Sequence, residues 1–127
     1  MFVNKHAPTA AELRQWAYTS DAEEPCQDFD LILSWNWNTG AYLDFVADPA
    51  CPGSDYFLAL LYLMVGDAVR TRFRNVAEVD VRAFIARADG TASQRLRTWQ
   101  MRSLQLLKEP GEFDYDEWCA GALARRA

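Results

Sequence analysis

The chain has 127 residues, half of them apolar, and its 13% aromatic content exceeds what a disordered acidic segment carries. Its formal net charge of −5 argues against a general duplex-binding protein, because dense carboxylates repel phosphates. These features predict one compact domain over residues 1–127 that folds without disulfides or a structural metal.

Two helix signals organise the start of the chain. Thr9 and Glu12 form a capping box, in which each side chain accepts a backbone N–H, and this predicts a helix over about 10–18. Pro25 predicts the start of a second helix, and Gly40 predicts its end. The residues expected to face inward are Leu13, Trp16, Ala17, Phe29, Ile32, Leu33 and one of Trp35 and Asn36.

A long apolar helix is expected at the centre of the chain. A short helix over 41–47 leads into the proline-containing loop 48–53, and Ser54 then caps a helix over about 55–72. This helix is apolar on nearly every side, which is typical of a helix enclosed by its neighbours. We therefore predict that it is the hub of the fold.

Three further helices are predicted after the central one. Asn75 and Glu78 begin the first, the capping box at 91–94 begins a second that ends at about Lys108, and the acids at 114–117 begin a terminal helix. The residues expected to face inward are Val76, Val79, Phe84, Ile85, Leu96, Trp99, Leu104 and Leu107.

The fold class that follows is all-α. Apolar positions recur with the 3.6-residue period of a helix, which predicts a single compact bundle of about six helices around the buried helix at 55–72. The longest apolar run, 56–65, is shorter than the roughly 20 residues that span a bilayer, so no membrane association is expected. The opening residues lack a secretory signal pattern, and we expect a cytoplasmic protein.

No residue cluster has the composition and spacing of a catalytic or metal site. His6 is the single histidine, and Cys26, Cys51 and Cys119 lie far apart in sequence and form no C-x-x-C pair. Paired acids occur near several helix starts, where they stabilise the helix dipole without any other role. We therefore expect no enzyme activity, no cofactor and no bound metal.

Charge is segregated along the sequence. Residues 1–55 carry nine acids and two bases, residues 56–108 carry nine bases and four acids, and residues 109–127 have a net charge of −3. Such a distribution gives a folded domain a surface dipole that orients its encounter with another charged macromolecule. We therefore expect function to depend on the surface.

An acidic and aromatic group between residues 28 and 44 is the best candidate for contact with a partner. An exposed ring among carboxylates is typical of an interface anchor, in which the ring supplies affinity and the charges accelerate association. Trp35 and Trp37 cannot both face one side of a helix, because alternate positions diverge by about 200°. One of them is expected at the surface, and the alternative is a Trp wedged between helices. The proposed contacts are Asp28, Asp30, Trp37, Tyr42 and Asp44, with Asp114, Tyr115 and Asp116 as a second patch.

The arginine-rich stretch supports an alternative surface. Arg70, Arg72 and Arg74 follow the central helix, and arginine side chains suit phosphates. The competing expectation is that the arginines pair with the acidic region, although exposed pairs contribute only about 0–1 kcal/mol each. Nucleic acid is therefore the less favoured partner.

In general character, rather than in any sequence motif, the chain resembles small bacterial immunity and antitoxin proteins. The resemblance implies an inhibitor that neutralises a toxin acting in the cytosol by covering its basic active-site region. The alternatives are a helical module that binds an anionic ligand or nucleic acid through Arg70–Arg74 and, less favoured, an enzyme whose site is built from residues distant in sequence. A homodimer is also compatible with opposed charged surfaces.

Overall fold

The computed structural model describes residues 2–114 and 117. Within these residues the chain forms six α-helices, one 3₁₀ turn and no strand, which confirms the all-α prediction. The terminal helix expected from 114 onward lies largely outside the described residues. The elements are α1 Ala10–Ala17, α2 Phe29–Asn36, α3 Thr39–Ala47, α4 Ser54–Arg70, α5 Glu78–Ala86, α6 Gln94–Lys108 and the 3₁₀ turn Pro110–Glu112.

The central helix is enclosed as predicted. Helix α4 packs against α2, α3, α5, α6 and the 3₁₀ turn, and its buried side chains surround the helix axis. Burial of each large apolar side chain contributes about 1.5–3 kcal/mol relative to exposure. The buried residues of α4 are Tyr56, Phe57, Ala59, Leu60, Leu61, Tyr62, Leu63, Met64, Val65, Gly66, Ala68 and Val69.

An aromatic cluster joins the first three helices to α4. The ring of Trp16 meets those of Phe29, Tyr56 and Phe57 edge-on, at centroid distances of 5.4, 5.0 and 5.9 Å. Phe57 also packs against Phe45 of α3 at 4.8 Å. Such ring pairs add about 0.5–1.5 kcal/mol beyond burial. The cluster fixes the start of α2 against α4.

The loop before α4 is held against the end of α1. The N–H of Gly53 donates to the carbonyl of Ala17 at 2.9 Å, and the thiol of Cys51 donates to the same oxygen at 3.4 Å. A Cβ at Gly53 would lie 2.8 Å from that carbonyl oxygen, so the close approach requires glycine. Gly53 is therefore the residue before α4, and Ser54, the predicted cap, is instead its first helical residue.

Helix α2 is shorter than predicted. The sequence indicated a helix from Pro25, but Asp28 is left-handed, with φ of 60°, and the helix begins at Phe29. A left-handed residue cannot continue a right-handed helix, so Pro25 lies in the preceding turn. The helix is followed by Trp37, also left-handed with φ of 55°, and Gly40, the predicted break, lies in the first turn of α3.

Helix α4 ends in a Schellman motif. The N–H of Phe73 donates to the carbonyl of Ala68 at 2.8 Å, and the N–H of Arg72 donates to that of Val69 at 3.1 Å. Arg72, with φ of 56°, occupies the position where glycine is usual. The turn leads the chain off the helix and leaves Arg72 and Arg74 exposed.

Several residues predicted to face inward are exposed. On α2, Trp35 and Asn36, one of which was expected to face the core, are both exposed. Val79 is 70% exposed, because the buried stripe of α5 follows Val81, Phe84 and Ile85, and Val79 lies outside that spacing. Leu104 is exposed for the same reason on α6. The buried stripe of α6 is Leu96, Trp99, Ser103 and Leu106.

Candidate partner-binding surface

Trp35 is the outward-facing tryptophan of α2. Its side chain is 67% exposed, whereas Trp37 is half-buried with its ring 5.1 Å from that of Phe84 on α5. The prediction that the two rings diverge is confirmed, and Trp35 rather than Trp37 is the exposed ring. The left-handed backbone of Trp37 ends α2, and its ring packs toward α5. Trp35 therefore becomes the aromatic candidate.

A groove of about 520 Å³ opens beside Trp35. It lies between the C-terminal halves of α2 and α4 and the turn that follows α4. We call it the tryptophan groove. It is lined by Ser34, Trp35, Trp37, Met64, Asp67, Ala68, Thr71, Asn75 and Val76.

Several polar groups of the tryptophan groove bond within the protein. The hydroxyl of Ser34 donates to a carbonyl of α2 at 2.7 Å, and that of Thr71 donates to the backbone carbonyl of Asp67 at 2.9 Å. The Asp67 carboxylate accepts from the guanidinium of Arg70 at 2.6 Å. The groove still presents mainly apolar surface, and the buried Met64 forms part of its wall.

A second groove, of about 340 Å³, lies on the other side of the Asp67–Arg70 ion pair. Asp67 lines the tryptophan groove and Arg70 lines the second one, so the ion pair forms a shared border. We call the second groove the acidic groove. It is lined by Asp28, Asp30, Leu31, Leu63, Arg70 and Phe113.

The acidic groove brings two predicted contact residues together. Asp28 is exposed immediately before α2 and makes no side-chain capping bond. Asp30 is half-buried in the first turn, where its Oδ1 accepts from the N–H of Leu31 at 3.0 Å. Side chains two positions apart diverge within a helix, but Asp28 precedes the helix in a left-handed conformation. Both carboxylates therefore line one groove.

Tyr42 does not belong to this surface. It is fully buried in α3, and its hydroxyl donates to the carbonyl of Leu33 at 2.8 Å. Burial raises the pKa of Tyr42, so the ring is a neutral part of the core. The expectation that Tyr42 contacts a partner is corrected accordingly. Asp44 is exposed on the outer side of α3 but lines neither groove.

The second predicted patch is described only in part. Asp114 is exposed and follows Phe113, whose ring lines the acidic groove. Tyr115 and Asp116 lie outside the described residues, so their place in the patch stays a prediction.

The arginines pair locally more than with the acidic region. Two of the three salt bridges among the described residues join neighbours on one helix, and the third links α6 to α4. Asp21, Glu23, Glu24, Asp28 and Asp44 take part in none of them. The salt bridges are Arg70–Asp67, Arg82–Glu78 and Arg95–Asp55.

Sequence reasoning missed the tryptophan groove for two reasons. Met64 and Val76 have the spacing of core residues, and nothing in the pattern indicates that they also border a groove. The left-handed turns at Trp37 and Arg72 carry no glycine signal. The segment from Trp35 to Trp37 was the one available sign, because one of two alternate tryptophans has to face away from the core.

The described residues contain neither a metal cluster nor a membrane-spanning helix. Over residues 2–114 and 117, no group of three or more His, Cys, Asp or Glu side chains could hold a metal ion. In the same part of the chain, no helix has the length and apolar character needed to cross a bilayer.

Comparison with known proteins gives no relative. No protein-family model matches the chain, and no curated protein or solved structure is significantly similar to it. Any function has to be inferred from the grooves and charges described above.

Proposed function

We propose that this chain is a small acidic protein-binding domain that inhibits a basic partner, in the manner of bacterial immunity and antitoxin proteins. The partner would be a toxin that acts in the cytosol, and α2 would cover its basic active-site region. The observation that carries the proposal is the exposed Trp35 on the tryptophan groove, which shares its Asp67–Arg70 border with the acidic groove that contains Asp28 and Asp30.

The distribution of charge favours a basic partner. Between Arg14 and Arg70 the sequence contains nine acids and no Lys, Arg or His. Asp55 and Asp67 are paired with arginines, and the exposed carboxylates among the others produce a negative field that extends about 8 Å at physiological ionic strength. Such a field accelerates association with a basic protein, and carboxylates can take the place of phosphates in a toxin's active site.

The exposed indole favours a protein partner over a small ion. A tryptophan buries about 150–250 Å² when it is covered. At about 25 cal/mol per Å², covering the exposed part of Trp35 would provide roughly 2–4 kcal/mol before the costs of association. Tryptophan is also among the residues most enriched at the energetic centres of protein interfaces.

Charge reversal on α2 tests the proposal. We expect affinity capture with tagged protein from its native cells to recover one basic protein at near-equal amount, and the double variant Asp28→Lys, Asp30→Lys to lose it. The loss should be greater at low than at moderate salt, because salt screens the attraction. Asp80→Lys, which changes the charge of an exposed residue on α5, is the matched control and should retain the partner. Equal recovery by all three proteins would contradict the proposal.

A second candidate function rests on the arginine turn. Arg72 and Arg74 are exposed and form no salt bridge among the described residues, and Arg72 keeps a left-handed backbone where glycine would be less strained. A module that binds an anionic ligand or RNA through this turn would be recovered with nucleic acid at low salt. In that case Arg72→Gln should abolish recovery, and the Asp28→Lys, Asp30→Lys variant should not.

A further inference from the structure

We infer that the tryptophan and acidic grooves together recognise a partner segment in which a large apolar side chain lies next to an arginine or lysine. This inference rests on the function proposed above and specifies the chemistry of the segment that docks. It follows from the lining of each groove and from the border that they share.

The tryptophan groove suits an apolar side chain. The lining is mainly apolar, and the hydroxyls of Ser34 and Thr71 and one oxygen of the Asp67 carboxylate already bond within the protein, so an apolar occupant displaces water at little cost in hydrogen bonds. Trp35 and Trp37 provide aromatic surface, and the thioether chain of a methionine adapts readily to different shapes. A leucine, methionine or aromatic side chain is the occupant that this lining favours.

The acidic groove suits a cationic side chain. Asp28 and Asp30 supply carboxylates, while Leu31 and Leu63 supply apolar surface for the methylene stem of an arginine or lysine. The ring of Phe113 adds aromatic surface to the same lining. A lysine or arginine therefore finds a match for its charge and for its stem in one place.

The cation already present in this groove does not cancel its charge. Arg70 lines the acidic groove, but its guanidinium bonds the Asp67 carboxylate at 2.6 Å. Asp67 belongs to the lining of the other groove. The positive charge of Arg70 is therefore balanced from outside the acidic groove and does not offset the carboxylate of Asp28.

The Asp67–Arg70 ion pair that separates the two grooves sets the distance between the apolar and the cationic side chain of the partner. Asp67 and Arg70 are three residues apart on α4, which is less than one helical turn of about 5.4 Å. An apolar side chain on one side of this pair and a cation on the other would be neighbours on the partner's surface. The spacing fits positions i and i+3 or i+4 of a helix, or nearby residues of an extended segment.

A partner segment fits this surface better than an enclosed small molecule. Pockets for small molecules bury about 70–90% of the ligand surface. Trp35 is 67% exposed and forms a rim that a flat or convex surface can cover. Charge complementarity then selects a basic segment, because acids dominate the chain from residue 15 to residue 69.

Peptide selection tests the inference. Random 12-residue peptides displayed on phage would be selected on the full chain and counter-selected on its Trp35→Ala variant. We expect the enriched peptides to carry a large apolar residue within four positions of an arginine or lysine. Binding of synthetic peptides should weaken at least tenfold with Trp35→Ala and with the double variant Asp28→Asn, Asp30→Asn. The control Met101→Ala, at a similarly exposed residue of α6, should change binding less than twofold.

The outcomes separate this inference from the proposed function. Failure to enrich peptides, enrichment of peptides that lack either the apolar or the basic residue, or equal effects of Met101→Ala and Trp35→Ala would overturn the inference. If the full chain still captures a basic protein that is lost on charge reversal, the proposed function stands without it. If apolar–basic peptides bind at Trp35 but no basic protein is captured, the proposed function fails and the groove chemistry stands.

Discussion

Two buried polar atoms on α6 have no hydrogen-bond partner among the described residues. They are the hydroxyl of Ser103 and the indole Nε1 of Trp99, one helical turn apart. A buried polar group without a partner costs about 1–3 kcal/mol, because it has lost its bonds to water. The buried hydroxyl of Ser103 therefore lowers the free energy of unfolding relative to an apolar side chain at the same position.

Replacement of Ser103 with alanine is expected to stabilise the fold. The free energy of unfolding, measured by urea titration, should rise by about 1 kcal/mol because the unbonded hydroxyl is removed. Ser34→Ala is the matched control, since the hydroxyl of Ser34 donates to a carbonyl at 2.7 Å, and it should not stabilise the protein. A loss of stability in Ser103→Ala as large as that in Ser34→Ala would show that the hydroxyl of Ser103 is bonded.

The sequence predicted correctly which side chains are buried where the helix period determines this. It did not do so at residues where the backbone leaves the helical conformation. Leu13, Trp16 and Phe29 are buried as their spacing indicated. The choice between Trp35 and Trp37 could not be made, because it depends on a left-handed φ at Trp37 that lacks a glycine signal. The same kind of turn at Asp28 places this residue in a groove, which helix geometry alone would not have shown.

At the scale of elements, a hydrogen bond between the ends of two helices predicts a pH dependence of stability. The hydroxyl of Tyr18, which follows α1, donates to Oδ2 of Asp48, which follows α3, at 2.6 Å. This bond, with a second from the N–H of Ala50, lowers the pKa of Asp48 below 3.8. The bond to Asp48 and burial raise the pKa of Tyr18 from 10.0 to about 12.

We expect Tyr18→Phe to be less stable than the natural chain near neutral pH, with a gap that narrows at both extremes. A lowered pKa at Asp48 stabilises the fold above 3.8, and this contribution is lost as pH falls through the lowered pKa. A raised pKa at Tyr18 stabilises the fold below 10.0, and this contribution is lost as pH rises toward 12. Urea titrations across pH measure the gap, and a constant gap would contradict the assignment.

Phe113, the residue after the 3₁₀ turn, packs against α4 at Gly66. A Cβ at Gly66 would lie closer to the ring of Phe113 than atoms in proteins approach, so glycine allows the ring to rest on the helix. Phe113 also forms a wall of the acidic groove. The contact therefore links the packing of α4 to the shape of the candidate surface.

A double-mutant cycle measures this contact. With Phe113→Ala present, Gly66→Ala should raise the free energy of unfolding by about 1 kcal/mol, because alanine is the better helix former. In the natural chain the same change should stabilise less or destabilise, because the ring of Phe113 must move. Equal effects of Gly66→Ala in both backgrounds would mean that Phe113 does not rest on Gly66.

Helix existence was more predictable than helix boundaries. The capping box of Thr9 and Glu12 gave the start of α1, since both of its bonds form. The starts of α4 and α5 follow Gly53 and Ala77, neither of which makes a side-chain capping bond, whereas the sequence indicated that Ser54 caps α4 and that Asn75 and Glu78 begin α5. The start of α5 was expected at Asn75 but lies at Glu78.

At the scale of the whole molecule, the fold separates a stable centre from a charged exterior. Helix α4 carries many of the buried apolar side chains. Because it is apolar on nearly every side, the sequence was enough to predict a helical bundle around it. Most arginine pairing is local, so the acids near α2 keep their negative field instead of being neutralised by α5 and α6. Sequence could predict the segregation of charge but not the grooves, which depend on how α2 lies against α4.

The measurement that tests the central claim most directly is the affinity of the captured basic partner for the natural chain and for Trp35→Ala. We expect the dissociation constant to rise about thirtyfold or more, corresponding to about 2 kcal/mol, as for a residue at the centre of an interface. Met101→Ala, at a residue 66% exposed on α6, should leave it unchanged. Equal affinities of Trp35→Ala and the natural chain would show that the partner docks elsewhere and would contradict the assignment of α2 as the binding surface.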